Sequence, residues 1–347
     1  MPTFGLSPHL RLRILVLYVC LLSASVAVGA WTWWVYTGDS VRLGTALLAY
    51  TLGLRHAVDA DHIAAIDNVT RKLIQDGNRS IAVGFYFALG HSAIVLLATC
   101  AIALTVGAIS RFQSFSHIGG IIATVTSASF LFAIAAMNLV ILRSVWQRFC
   151  ALRRGEQYDE DLNVLLSGRG PLSRLFRPLF SMVRHSWQMA LLGFLFGLGF
   201  DTATEVSLMG VAGMQAARGT SLVTILVFPA LFAVGMALVD TTDGVLMLGA
   251  YEWASVRPAR KLYYNLTITS VSALVAIVIG SIETAALIAT RYDLRTGLWG
   301  YAAGLLAHFN ALGFGIVGLF AAAWAASYFI YRWKRFDEIE LPVSHQE

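Results

Sequence analysis

Residues 50–68 constrain this chain more than any other stretch. They read Tyr-Thr-Leu-Gly-Leu-Arg-His-Ala-Val-Asp-Ala-Asp-His-Ile-Ala-Ala-Ile-Asp-Asn and lie in a segment otherwise apolar enough to cross a bilayer. Arg55, His56, Asp59, Asp61, His62 and Asp67 are therefore set where charge is costly. On insertion scales, one charged side chain at the centre of a membrane helix costs roughly 2.5–3.5 kcal/mol. Several in one helix need partners, water or a bound ion. Imidazole and carboxylate together suit a divalent transition metal, so an intramembrane metal site is the first expectation.

Helical geometry limits how that site is built. At about 100° per residue, His56, Asp59, Ala60 and Asp67 share one face, Asp61 points well away, and His62 lies on the other flank beside Asp59. An unbroken helix cannot aim all of these groups at one ion. Either the helix is locally unwound, as in many transporters, or only a subset coordinates. The structural alternative is a buried ion-pair network centred on Arg55 and Asp59, four residues apart.

The rest of the chain reads as membrane protein. Of its 347 residues 57% are hydrophobic and 13% charged, with a mean hydropathy of +0.69, against about 25% charged residues in soluble domains. Eight apolar stretches meet the roughly 20 residues a bilayer needs, at about 14–34, 43–68, 81–108, 118–142, 187–214, 221–249, 263–289 and 299–331. The expectation is an all-α polytopic membrane protein of eight spans, one transmembrane domain over 1–347. Its one long loop, 143–186, lies between spans 4 and 5. Span 1 ends in Trp31, Trp33 and Trp34, an interfacial belt, and exceeds the 7–15 apolar residues of a signal peptide. Of the 25 lysines and arginines, 19 then fall on the side of the two termini and five on the other, with Arg55 inside span 2. That asymmetry puts both termini in the cytoplasm and argues against a nucleic-acid patch. Cys20, Cys100 and Cys150 show neither pairing nor metal-motif spacing and read as small buried hydrophobes.

Other spans also carry intramembrane polar groups. His91 sits between Gly90 and Ser92 in span 3. Asp201 and Glu205 are four residues apart in span 5. Asp240 and Asp243 are three apart in span 6, and Asn265 lies near the start of span 7. Glu283 and His308 are isolated and read as structural. One arginine, Arg55, faces seven acids in spans 2, 5 and 6, and an excess of buried carboxylates favours cations. A cation carrier is the reading this supports. Two alternatives remain: an intramembrane metalloenzyme, although the zinc-protease pattern His-Glu-x-x-His is absent, and a proton-coupled exporter of another cation. No Walker motif is present, so this chain does not hydrolyse ATP. A short echo, Leu52-Gly-Leu and Leu198-Gly-Phe each followed by acids, suggests a 3+3 inverted repeat of spans 2–4 and 5–7.

These residues resemble the nickel/cobalt transporter family (NiCoT). The family signature His-x4-Asp-His in the second span fits His56, Asp61 and His62. Gly90-His-Ser matches a second motif, and residues 198–205, Leu-Gly-Phe-Asp-Thr-Ala-Thr-Glu, match a third. Residues 235–243, Gly-Met-Ala-Leu-Val-Asp-Thr-Thr-Asp, follow a fourth, with three residues between Met236 and Asp240. The resemblance implies high-affinity uptake of Ni²⁺, Co²⁺ or both across the cytoplasmic (inner) membrane by a permease that is not an enzyme. It implies no cofactor, no ATPase subunit, and contact with membrane lipid and a divalent metal ion alone. It makes His56, Asp61 and His62 central to metal recognition. The expected metal set is His56, Asp59, Asp61, His62 and His91, and the expected transport path is lined by Asp67, Asp201, Glu205, Asp240, Asp243 and Asn265.

Overall fold

The computed structural model describes residues 7–104, 108–153, 183–198, 203–254, 258–306 and 308–333. Among these the protein is helical, joined by short turns and without strands. The helices of eight residues or more are α1 (Pro8–Tyr36), α2 (Ser40–His56), α3 (Ala60–Gln75), α4 (Val83–Leu104), α5 (Ala108–Arg153), α6 (Met189–Phe196), α7 (Ala203–Ala217), α8 (Val227–Ala254), α9 (Pro258–Arg291), α10 (Gly297–Leu306) and α11 (Phe309–Trp333). Five segments among the described residues are long and apolar enough to cross a membrane: Pro8–Tyr36, Val83–Leu104, Gly120–Val140, Leu222–Tyr251 and Leu266–Arg291.

The remaining expected spans are interrupted. Span 2 is two helices, because residues 57–59 leave the helical path between α2 and α3. Asp59, a residue type that favours helix N-caps, starts α3 from an extended conformation (φ −66°, ψ 146°). Span 5 divides into α6 and α7, and span 8 divides into α10 and α11 at the turn that holds the exposed His308. Helix α3 also runs on to Gln75, so Arg71 and Lys72, expected in a loop, are helical and buried at 1% and 4% exposure. Helix α5 runs past residue 142 to Arg153, because Leu, Arg, Gln and Ala propagate a helix and the first glycine comes at Gly155. The remainder of the expected loop, 154–182, lies outside the described residues.

Helix α8 is the hub, packed on α1, α2, α3 and α4, while α5 lies along α9. Two crossings are unusually close. On the α2–α8 crossing, a Cβ at Gly53 would collide with the Phe232 carbonyl and one at Gly235 with that of Tyr50. On the α4–α6 crossing, a Cβ at Gly193 would collide with the Phe87 carbonyl and one at Gly90 with that of Ala190. Small residues let membrane helices approach to backbone contact. Here they draw α2, α4, α6 and α8 together around the interruption in span 2. Helix α1, by contrast, turns Leu12, Leu15, Val19 and Val26 outward, as a lipid-facing helix does.

Candidate metal site

The end of α2 and the start of α3 present two imidazoles to the interior. His56 is the last residue of α2 and His62 lies in the first turn of α3. Continuous helix would have placed them on different flanks; the turn at 57–59 brings their ring centroids to 4.7 Å. Helix α11 rests on this turn, since a Cβ at Gly313 would meet the Val58 carbonyl. Helix α4 adds His91, with ring centroids 4.8 Å from His56 and 4.9 Å from His62. All three histidines are at most 3% exposed. One ring nitrogen from each lies within 4.8 Å of the others. With metal–nitrogen bonds of about 2.0–2.1 Å, small ring rotations suffice to place all three on one ion.

Carboxylates orient the rings. Asp59 leaves the α3 backbone uncapped by its side chain and instead holds His56 Nδ1 through Oδ2 at 2.7 Å. Asp240 of α8 holds His62 Nδ1 through Oδ1 at 3.3 Å. A neutral imidazole that donates from Nδ1 has its lone pair on Nε2, so these bonds assign an inward-facing acceptor to His56 and to His62. Among the described residues the buried Nε2 of His62 has no hydrogen-bond partner. His56 Nε2 stands 3.0 Å from His91 Nε2, which is itself 3.0 Å from Glu205 Oε1 in the first turn of α7. Several acceptors thus converge with few protons between them, an arrangement that a cation stabilises. Carboxylate–histidine pairs of this kind fix ring tautomer and raise ligand basicity at metal sites. Phe232 and Phe87 wall the cluster, with centroids 5.4 Å from His56 and 4.8 Å from His62.

The structure thus brings together His56, Asp59, His62, His91, Glu205 and Asp240 from α2, α3, α4, α7 and α8. Asp61, half-buried in the first turn of α3, forms no hydrogen bond with the three imidazoles among the described residues. Asp67 is fully buried further along α3, where its Oδ2 accepts a hydrogen bond from Ser272 at 2.6 Å. Asp243 buries its Oδ2 one turn beyond Asp240 on α8. Asp201 and the Asn265 side chain lie outside the described residues. Arg55 is exposed, and Asp59 holds His56. Glu283 is buried and accepts from Ser127 at 2.9 Å.

Sequence reasoning missed Thr204, whose Oγ1 lies 3.3 Å from His56 Nδ1. Its signal was at hand, because it sits between Asp201 and Glu205 in a motif already singled out. The two phenylalanine walls gave no signal, being two of 20 in an apolar chain.

Residues 42–330 match the family model NicO, described as high-affinity nickel-transport protein. The chain is 52% identical to the high-affinity nickel transport protein of Cupriavidus necator over 95% of each chain. It is 42% identical to the nickel transporter NixA of Staphylococcus aureus, over 92% of this chain and 95% of that one. It is 40% identical to the cobalt transport protein NhlF of Rhodococcus rhodochrous over 71% of each. No solved structure matches it.

Proposed function

Since the chain belongs to the NicO family of high-affinity nickel-transport proteins, we propose that it is a permease that takes up Ni²⁺ across the cytoplasmic membrane, with Co²⁺ as a second substrate. The observation that carries this reading is the buried cluster of His56, His62 and His91. Imidazole nitrogens suit nickel and cobalt alike, and the likeness to a cobalt transport protein supports the second ion. The metal sheds water to enter the cluster. His56, His62 and His91 bind it, Asp59 sets the His56 tautomer, and Asp61 receives the ion at the mouth of α3. Glu205, Asp240, Asp243 and Asp67 line the path on either side. Asp201 and Asn265 keep their sequence-based assignment to it.

The membrane potential is drive enough, at about 4.6 kcal/mol per 100 mV for two charges. The protein acts without cofactor or ATPase subunit and is not an enzyme. Both termini face the cytoplasm, by the distribution of loop charge. The pairs α2–α3, α6–α7 and α10–α11 each form one interrupted crossing, which gives eight spans with α1, α4, α5, α8 and α9.

The close crossings support the inverted repeat. Adding 140 to the α2 positions Tyr50 and Gly53 gives Ala190 and Gly193, and adding 145 to the α4 positions Phe87 and Gly90 gives Phe232 and Gly235. The glycine-to-carbonyl contacts of one crossing then fall on those of the other. In this register α2 and α6 end at equivalent residues, His56 and Phe196, and Asp61 pairs with Asp201. Repeats of this kind place substrate between broken helices.

The test is uptake of radioactive nickel-63 by proteoliposomes under an imposed inside-negative potential, with His56→Ala alongside. Uptake by the parent that the variant loses supports the permease. A folded parent that moves no metal refutes it.

A further inference from the structure

Helix α3 carries a second set of buried polar side chains, between one and three turns beyond His62. Asp67, Asn68 and Arg71 are each at most 1% exposed. Arg71 is the largest fully buried side chain. Its guanidinium is always charged, yet among the described residues only Nη2 finds a hydrogen-bond partner, the neutral amide oxygen of Asn68 at 2.8 Å. Its Nε and Nη1 are buried without hydrogen bonds. Asn138 of α5 donates to the same Asn68 oxygen at 2.7 Å, so Asn68 is clamped and holds the guanidinium in place.

The acids beside it are equally unfinished. Asp67, one helical turn before Arg71, bonds Ser272 of α9 through Oδ2 and leaves Oδ1 buried without a partner. Oδ2 of Asp243, on the facing helix α8, is buried and unpartnered too. The charges of Arg71 and Asp67 lie within interaction range, as do those of Asp67 and Asp243. No ion pair within 4.0 Å joins Arg71 to either acid among the described residues. A buried charge is tolerated only when something compensates it, and Asp67, which itself neighbours Asp243, is the compensation in reach.

We propose that Asp67 and Asp243 form a second, inner station for a divalent cation, and that Arg71 is the tethered cation that balances this station until a metal ion displaces it. The proposal rests on the permease reading and deepens it. Asp240 contacts His62 at one end and precedes Asp243 by one turn, so α8 links the histidine cluster to the station. An ion leaving the imidazoles meets two carboxylates whose free oxygens it can take. Arg71, on the side of the charged turn that follows α3, then yields its place. The device offsets one of the two carboxylate charges when the inner path is empty and excludes monovalent ions too weakly bound to dislodge a guanidinium.

Nickel-63 binding to the purified full-length chain in detergent, by equilibrium dialysis, tests this. The parent is expected to bind one ion tightly and a second at least tenfold more weakly. Arg71→Gln removes the competitor, so its second site should tighten at least tenfold, and Arg71→Gln combined with Asp67→Asn and Asp243→Asn should lose that site. Arg71→Lys keeps a charge but not the bidentate fork, retains the fold if Gln does not, and should tighten the second site by a smaller factor. An Arg71→Gln protein with unaltered thermal unfolding and a parent-like isotherm overturns the proposal. So does an Arg71→Lys isotherm identical to the parent's. A parent that binds no nickel overturns the permease reading instead, and the inner station falls separately if Arg71→Gln binds none either.

Discussion

His56 Nε2 faces His91 Nε2 at 3.0 Å although the residues lie 35 positions apart on different helices. Two neutral imidazoles in that position have at most one proton to share, and Glu205 reaches the same His91 nitrogen. A cation is the natural occupant. His91→Gln keeps a polar side chain but loses the aromatic nitrogen. It should weaken nickel binding by about tenfold or more, read as a raised half-saturation concentration for uptake with the protein still folded.

Asp59 contributes through His56. Asp59→Asn preserves shape yet no longer holds the Nδ1 proton as a carboxylate does, so the imidazole loses its enforced tautomer. Loss of such a partner costs roughly 10–100-fold in metal affinity. Asp240→Asn should do the same for His62. Isothermal titration of the two single variants and the double variant would show whether the effects add. An Asp59→Asn protein with parental affinity contradicts this account.

Acid should inhibit. Imidazole binds metal only when unprotonated, so protons and nickel compete. Uptake should fall as external pH drops and should recover on return to neutrality. A flat profile from pH 5 to 8, measured at constant membrane potential, would remove histidine from the binding step.

The glycine crossings should be unforgiving. Gly53→Ala and Gly193→Ala each push a methyl against a carbonyl, of Phe232 and Phe87 respectively, and overpacking costs about 1–3 kcal/mol. Gly29→Ala meets nothing within 4 Å and should be neutral. Thermal unfolding in detergent should separate the first two from the third.

Much of this site was legible in the sequence and some of it was not, for identifiable reasons. Charge at 55–67 left two readings open, a break in span 2 or a ligand set limited to part of one helix face, and the structure has the break between His56 and His62. The pairing of His91 with Glu205 and of His62 with Asp240 could not be read. It depends on which helices cross, and that is set by glycines spread over four spans. Arg71 was read as a loop charge because basic residues usually mark the membrane edge. Tertiary packing instead extended α3 to Gln75 and carried the guanidinium inside. The length of α5 was missed because hydropathy ends at residue 142 while helix propensity does not.

The reciprocal glycine contacts have one more consequence. Under the proposed inverted repeat, the interface shared by α2–α8 and α4–α6 reads alike from either face of the bilayer. Such packing holds two halves together while remaining indifferent to which end is up. The sense of insertion must therefore be written elsewhere, in the arginines and lysines outside the core. A chain with those charges exchanged between its faces would keep its interior and point the other way.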